Sequence, residues 1–300
     1  MADEILTTSP VLRFAPSPNG ALHLGHAYSA LMNERVAFEL SGRMLLRIED
    51  LDRMRCKPQF EAAIIDDLAW LGIRFPDSPR RQSEHGDDYA AALARLDRRG
   101  LVYPCFCSRS EIALAAVGRR DPDGAPLYSG TCRALSPAEA RDRLAHGEKA
   151  AFRLDMRRAL VTAPSHLYWT EYGEGAIPSQ RPATPEAWGD VVLKGRDLVA
   201  SYHLAVVVDD ASQGVTDVVR GRDLLAATAI HRLLQALLCL AEPRYRHHRL
   251  VLDESGAKLS KSRQSVSLDE LRGTGLSPGE VRAALGFGAG EGGGLSVEFG

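Results

Sequence analysis

Lysine is scarce in this chain. Of 37 basic residues only five are lysines, Lys57, Lys149, Lys194, Lys258 and Lys261, and the rest are arginines. Arginine suits forked contacts to phosphate and carboxylate but equally ordinary surface pairing, so its abundance alone assigns no partner. Charge of one sign is lacking too. A formal net charge of −2 does not mark a nucleic-acid binder, and any RNA contact must rest on local patches. No apolar run approaches the ~18 residues of a membrane span, and no basic-then-apolar signal opens the chain. These two absences predict a cytoplasmic protein with no membrane attachment. Five cysteines, three of them bunched, are no disulfide framework in that compartment. The composition, 45% hydrophobic and 25% charged over 300 residues, is that of a globular protein with an ample core.

One stretch organises the rest. Val11 to Ala15 reads as a short buried strand, Pro16-Ser17-Pro18-Asn19-Gly20 as a turn, and His26 to Leu40 as an uninterrupted amphipathic helix. Between turn and helix stands His23-Leu24-Gly25-His26. A helix opening presents free N–H groups and the positive end of its dipole, which suits phosphate. His23 and His26 offer further donors, and Gly25 leaves room for a flat base. Two histidines at a helix start are equally ordinary capping residues. A second strand, Met44 to Ile48, ends in the acidic cluster Glu49, Asp50 and Asp52, where ligands meet α/β sheets. Glu49 suits an ammonium group; Asp50 and Asp52 suit helix capping or pairing with Arg47 or Arg53.

Helices are expected over Pro58–Leu71, Asp87–Arg99, Pro137–His146 and Thr228–Leu240. Asp190–Leu193 reads as the sheet resuming, and Ser201–Asp210, a near-continuous apolar run, as a buried parallel strand. Cys105, Cys107 and Cys132 are spaced like zinc ligands, yet no histidine lies between Cys107 and Cys132. Tyr128 offers a phenolate as fourth ligand; the alternative is that the thiols only pack. Cys56 and Cys239 read as packing residues in helical contexts. Far downstream, Lys258-Leu259-Ser260-Lys261-Ser262 suits a mobile loop that closes on a polyphosphate.

Together, His23-Leu24-Gly25-His26 and Lys258–Ser262 resemble the two signatures of class I aminoacyl-tRNA synthetases. Arg13–Gly20 and Leu46–Asp52 narrow the resemblance to the glutamyl/glutaminyl members, as do Tyr202–Asp210 and Val218–Leu224. The cysteine pattern with Tyr128, which is the zinc site in the glutamyl-Q branch, narrows it further. Asn19 departs from the Thr common in full-length relatives.

The resemblance covers roughly residues 11–263. It implies an α/β, doubly wound (Rossmann-type) parallel sheet with an inserted zinc-containing subdomain. The halves of the nucleotide-binding domain are expected at 11–100 and 191–263, the insertion at 101–190, and a short helical segment and tail at 264–300. No anticodon-binding region is expected after Ser262. It further implies activation of L-glutamate by ATP with Mg²⁺, independently of tRNA. Transfer is then to queuosine at the wobble position of tRNA(Asp). His23, His26, Lys258 and Lys261 are implied as catalytic, with His23, Gly25, His26 and Lys261 at ATP. Arg13, Phe14, Ala15, Pro16, Ser17, Glu49, Tyr202 and Arg220 are implied to seat glutamate; an arginine beside a cleft is a natural carboxylate partner. One zinc per chain and a monomer are expected. The rival readings are a truncated glutamyl-tRNA synthetase charging a 3′ end and a non-enzymatic zinc-containing RNA-binding protein.

Overall fold

The computed structural model describes residues 9–173, 177–252 and 266–288. Its first part runs β1 (Val11–Phe14), α1 (Leu24–Glu39), β2 (Arg43–Ile48), α2 (Pro58–Trp70), β3 (Arg80–Arg81) and α3 (Gly86–Arg98). Next come β4 (Val102–Cys105), α4 (Arg109–Ala116), α5 (Pro137–Ala145), β5 (Ala151–Leu154), α6 (Met156–Thr162), β6 (Tyr168–Glu171), β7 (Ser179–Pro182) and β8 (Val192–Lys194). The chain then continues through α7 (Tyr202–Ser212), β9 (Asp217–Gly221), α8 (Thr228–Leu237), β10 (Arg244–His248), α9 (Leu268–Gly273) and α10 (Pro278–Ala284).

A parallel, Rossmann-like sheet carries the site. β2 pairs in parallel with both β1 and β3, and β10 pairs in parallel with both β9 and β6. The two sets meet where Thr216 N–H donates to Val11 O and Val11 N–H to Thr216 Oγ1, each at 2.9 Å. The ends of β1, β2, β9 and β10 therefore open onto one edge, where ligands meet such sheets. Buried Leu24, Ala27, Tyr28 and Leu31 pack α1 on Leu12, Leu46 and Ile48 of the strands, and Leu268 of α9, Val281 of α10 and Leu285 just after α10 join that core. Among the described residues no helix is long and apolar enough to cross a membrane.

Two strand expectations are corrected. Ser201–Asp210 is not a strand: Ser201 Oγ caps α7 by accepting from Leu204 N–H at 3.4 Å. Leu204, Ala205, Val206 and Val207 are all buried, against α3, α8 or their flanks. A helix buried nearly all round shows no polar face, so its sequence reads like a buried strand. The strand after Asp190 exists, but β8 pairs antiparallel with β5, in a separate sheet with β4.

The end of α7 carries Asp209 and Asp210 into the molecule. Asp210 Oδ1 accepts from Arg47 at 2.7 Å and from Arg13 at 3.0 Å. Asp209 accepts from Arg80 and Gln82 at 2.8 Å and from the Tyr89 hydroxyl at 2.9 Å. Three strands are thus tied to one helix end through buried charge. Burial alone would raise the Asp210 pKa, but Arg13 and Arg47 outweigh it and hold it below the ordinary value. Its stabilisation is therefore present above about pH 4 and lost as pH falls through the lower folded value. Asp210→Asn leaves two buried guanidiniums short of a counter-charge, a change that typically costs about 3–5 kcal/mol. Urea unfolding of this variant should show a loss in that range; a loss below about 1 kcal/mol would remove Asp210 from the support of the fold.

Candidate active site

The turn after β1 is pinned from the next strand. Glu49 N–H donates to Pro16 O and Lys57 N–H to Pro18 O, both at 3.0 Å. His23 then caps α1. Its Nδ1 accepts from Gly25 N–H at 3.1 Å, while His26 Nδ1 accepts from His23 N–H at 3.2 Å, and the ring centroids lie 3.9 Å apart. The two histidines thus close a reciprocal capping box at the positive end of the helix. The capping and ligand-facing readings coexist, because both rings also line the cavity above.

That cavity, of about 510 Å³, brings together Arg13, Phe14, Ala15, Pro16, Ser17, His23, Gly25, His26, Glu49, Tyr202 and Arg220. Lys258 and Lys261 lie outside the described residues. Val251 on the near side of that segment also lines the cavity, and Ser267 on the far side bridges to His23. Asp50 and Asp52 are used locally: Asp50 accepts from Ser83 N–H at 2.8 Å, and Asp52 pairs with Arg55 at 2.6 Å.

The charges in the cavity are unevenly met. Burial raises the Glu49 pKa against the pull of Arg47, 3.5 Å away, and of Arg13. An ammonium group would relieve that strain on the carboxylate. Arg220, only 4% exposed, makes no ion pair among the described residues. Its donors go to neutral groups: His247 Nε2 and His231 Nδ1 at 3.1 Å, Thr228 Oγ1 at 2.8 Å, Leu224 O at 3.2 Å and Tyr202 OH at 3.4 Å. Burial and the Arg220 charge push His231 well below its usual pKa, so it is a neutral acceptor. A buried guanidinium held this way is chemically able to receive a carboxylate.

The three cysteine thiols converge as the spacing implied. The Sγ atoms of Cys105, Cys107 and Cys132 all lie within 4.8 Å of one another, and none is in a disulfide. Cys107 Sγ is 3.4 Å from Cys132 Sγ and 3.7 Å from the Tyr128 hydroxyl. A tetrahedral zinc site with Zn–S near 2.3 Å has ligand separations of about 3.8 Å, so the set fits. Phe106 N–H donates to Cys132 Sγ at 3.3 Å and Cys132 N–H to the Tyr128 oxygen at 2.8 Å, as anionic ligands need. Burial first, and then hydrogen bonding with the cysteine thiols, pushes the Tyr128 phenol well above its ordinary pKa, so only a cation would make it a ligand. Cys239 is neither buried nor within a helix: it is exposed, with a φ of 51°.

The sequence reading missed Glu171, His231, His247 and Asp210. Asp210 was visible in the Val208-Asp209-Asp210 run, since adjacent carboxylates at the end of an apolar segment need partners. The other three carried no local signal.

A model of the catalytic domain of class I tRNA synthetases (E and Q) matches residues 10–287. The glutamyl-Q tRNA(Asp) synthetase of Rhodobacter capsulatus is 45% identical over 290 residues, covering 92% of this chain and 100% of that protein. That of Symbiobacterium thermophilum is 40% identical over 284 residues, covering 92% and 85%. A glutamate tRNA ligase from Elizabethkingia meningosepticum, solved in complex with its amino acid, superposes with a TM-score of 0.69 at 27% identity. It is matched over 85% of this chain and 52% of its own, so the chain spans about half of that ligase. The chain belongs to the class I aminoacyl-tRNA synthetases of the glutamate and glutamine type, in the group of the glutamyl-Q tRNA(Asp) synthetases.

Proposed function

We propose that this ligase activates L-glutamate with ATP and transfers the glutamyl group to queuosine at the wobble position of tRNA(Asp), in the cytoplasm and as a monomer. The observation that carries the first half is Arg220, a buried cation with no carboxylate partner among the described residues, on the same cavity as the start of α1. In this reading Arg220 and Tyr202 receive the side-chain carboxylate and Glu49 the ammonium group. Arg13, Ser17 and the Phe14–Pro16 backbone complete the seat, and His23, Gly25 and His26 hold ATP at the helix opening. An α-carboxylate oxygen forms a bond to the α-phosphorus as the bond to the departing Mg²⁺-pyrophosphate breaks. No enzyme nucleophile is needed; positioning and electrostatics suffice. The queuosine acceptor is supported by the names of the relatives.

In this reading the residues that seat glutamate and ATP line one cavity, and the activation step needs no RNA contact. RNA-free protein should therefore catalyse glutamate-dependent ATP–pyrophosphate exchange. Glutamate should then be recovered on queuosine-containing tRNA(Asp), in a bond to the base. Exchange only in the presence of tRNA, or glutamate on the terminal ribose of tRNA(Glu), would favour a 3′-end-charging enzyme instead.

Lys258 and Lys261 would stabilise charge on the departing pyrophosphate. Lys261→Ala should lower the exchange rate on the order of a hundredfold with little change in glutamate KM, because its contact strengthens as the leaving group gains charge. Unchanged exchange kinetics would remove this lysine from the mechanism.

Cys105, Cys107, Cys132 and Tyr128 would hold one zinc, whose chemistry there is structural because a site closed by four protein ligands leaves no open position. Metal analysis of protein purified without added metal should give close to one zinc per chain. Cys107→Ser should release it and lower thermal stability while glutamate-dependent exchange survives, since none of the four ligands lines the cavity. A zinc content near zero in the parent protein would contradict the assignment.

A further inference from the structure

Arg220 meets the protein through two sets of acceptors. Behind it, Nε–H donates to His247 Nε2 and one Nη1–H to His231 Nδ1, both at 3.1 Å, and Nη2 to Thr228 Oγ1 at 2.8 Å. In front, Nη1 reaches Tyr202 OH at 3.4 Å and Nη2 reaches Leu224 O at 3.2 Å. Tyr202 and Leu224 line the cavity; His231, His247 and Thr228 do not. An entering carboxylate therefore meets a guanidinium anchored at the rear and held by longer contacts at the front.

The rear bonds demand one protonation pattern. Arginine only donates, so His247 Nε2 and His231 Nδ1 must both be bare. For His247 the choice is made by Glu171, whose Oε2 lies 2.6 Å from Nδ1 and takes the proton there as a hydrogen bond. Glu171 is itself fixed: Oε1 accepts from Gly173 N–H at 2.8 Å and His247 N–H at 3.0 Å, and Oε2 from the Trp169 indole at 3.1 Å. Burial acts to raise the Glu171 pKa, but these bonds, His247 foremost, bring it down to about 2. Burial, aided by the Arg220 charge and opposed by Glu171, lowers His247 to about 4. The contact is a carboxylate accepting from a neutral imidazole, not an ion pair. His231, bare at Nδ1, carries its proton on Nε2, which faces His203 Nδ1 at 3.3 Å.

The negative charge of Glu171 thus stands one imidazole behind Arg220. It offsets part of the burial of the guanidinium without reaching it. Building on the glutamate-activating reading above, we infer that Glu171 and His247, with His231, are positioning residues that set the choice of glutamate over glutamine. Among the described residues Arg220 is held by neutral acceptors alone, so its charge is left for the side-chain carboxylate of the substrate. A carboxylate directly behind Arg220 would neutralise it and make the carboxamide of glutamine an acceptable ligand.

Glu171→Gln tests this. Its amide can donate to His247 Nδ1, which lets the proton move to Nε2, where it faces the Arg220 donor. Glutamate KM in the exchange assay should rise about tenfold to a hundredfold, the range of one hydrogen bond to a charged group. The kcat/KM ratio of glutamate over glutamine should fall by a similar factor, with ATP KM unchanged. His247→Gln, which offers a carbonyl to Arg220 and an amide to Glu171, should keep most of the preference, whereas His247→Leu should lose it. If thermal unfolding shows that Glu171→Gln does not fold, the two His247 variants carry the comparison. Retention of the wild-type ratio in the Leu variant, or an equal rise in ATP and glutamate KM, overturns the relay while the functional reading stands. Absence of glutamate-dependent exchange in the wild-type protein overturns both.

Discussion

Burying a guanidinium without a carboxylate beside it is costly, and among the described residues Arg220 has none, so much of the geometry around the cavity serves to make its burial tolerable. β9 delivers the residue at the edge where the parallel strands end. α8 supplies Thr228 and His231, β10 supplies His247, and β6 supplies Glu171 behind it. The acceptors come from α8 and β10, with Glu171 of β6 behind them, so Arg220 is fully held only when helix and strands are docked together. Hydrogen bonds to a charged group contribute about 1.5–3 kcal/mol each, enough collectively to meet a desolvation cost of several kcal/mol. The remaining electrostatic demand faces the cavity, where a ligand carboxylate can meet it.

On the other side of the same cavity the opposite solution is used. Arg13 and Arg47 are buried against Asp210, and half-buried Arg80 pairs with buried Asp209, so these charges are paired inside the protein. The pairing fixes β1, β2 and β3 against α7, whose first residue is Tyr202. Structural charge and ligand-facing charge are therefore adjacent but separately balanced. Glu49 sits between them, buried and incompletely neutralised, where an amino group would be most favourable.

What could be read from the sequence follows from which signals are local. The strand–turn–helix around His23 and His26 was readable because turn residues and the helical pattern lie within one stretch. Glu49 was readable from its place at a strand end, and the cysteine cluster from spacing alone. Ser201–Asp210 misled because a helix buried on nearly every side loses its polar face, and its cap, a single serine, is weak punctuation. Glu171, His231 and His247 come from separate segments, and their roles depend on tautomers that only the folded arrangement selects.

The most direct measurement is calorimetric titration of RNA-free protein, in the presence of a non-hydrolysable ATP analogue, with L-glutamate and then L-glutamine. With Arg220 held for a carboxylate, glutamate should bind and glutamine should bind about a hundredfold more weakly, the difference expected for losing a charge-assisted bidentate contact. Equal affinities for the two amino acids would contradict the assignment of Arg220 as a charge kept for the ligand.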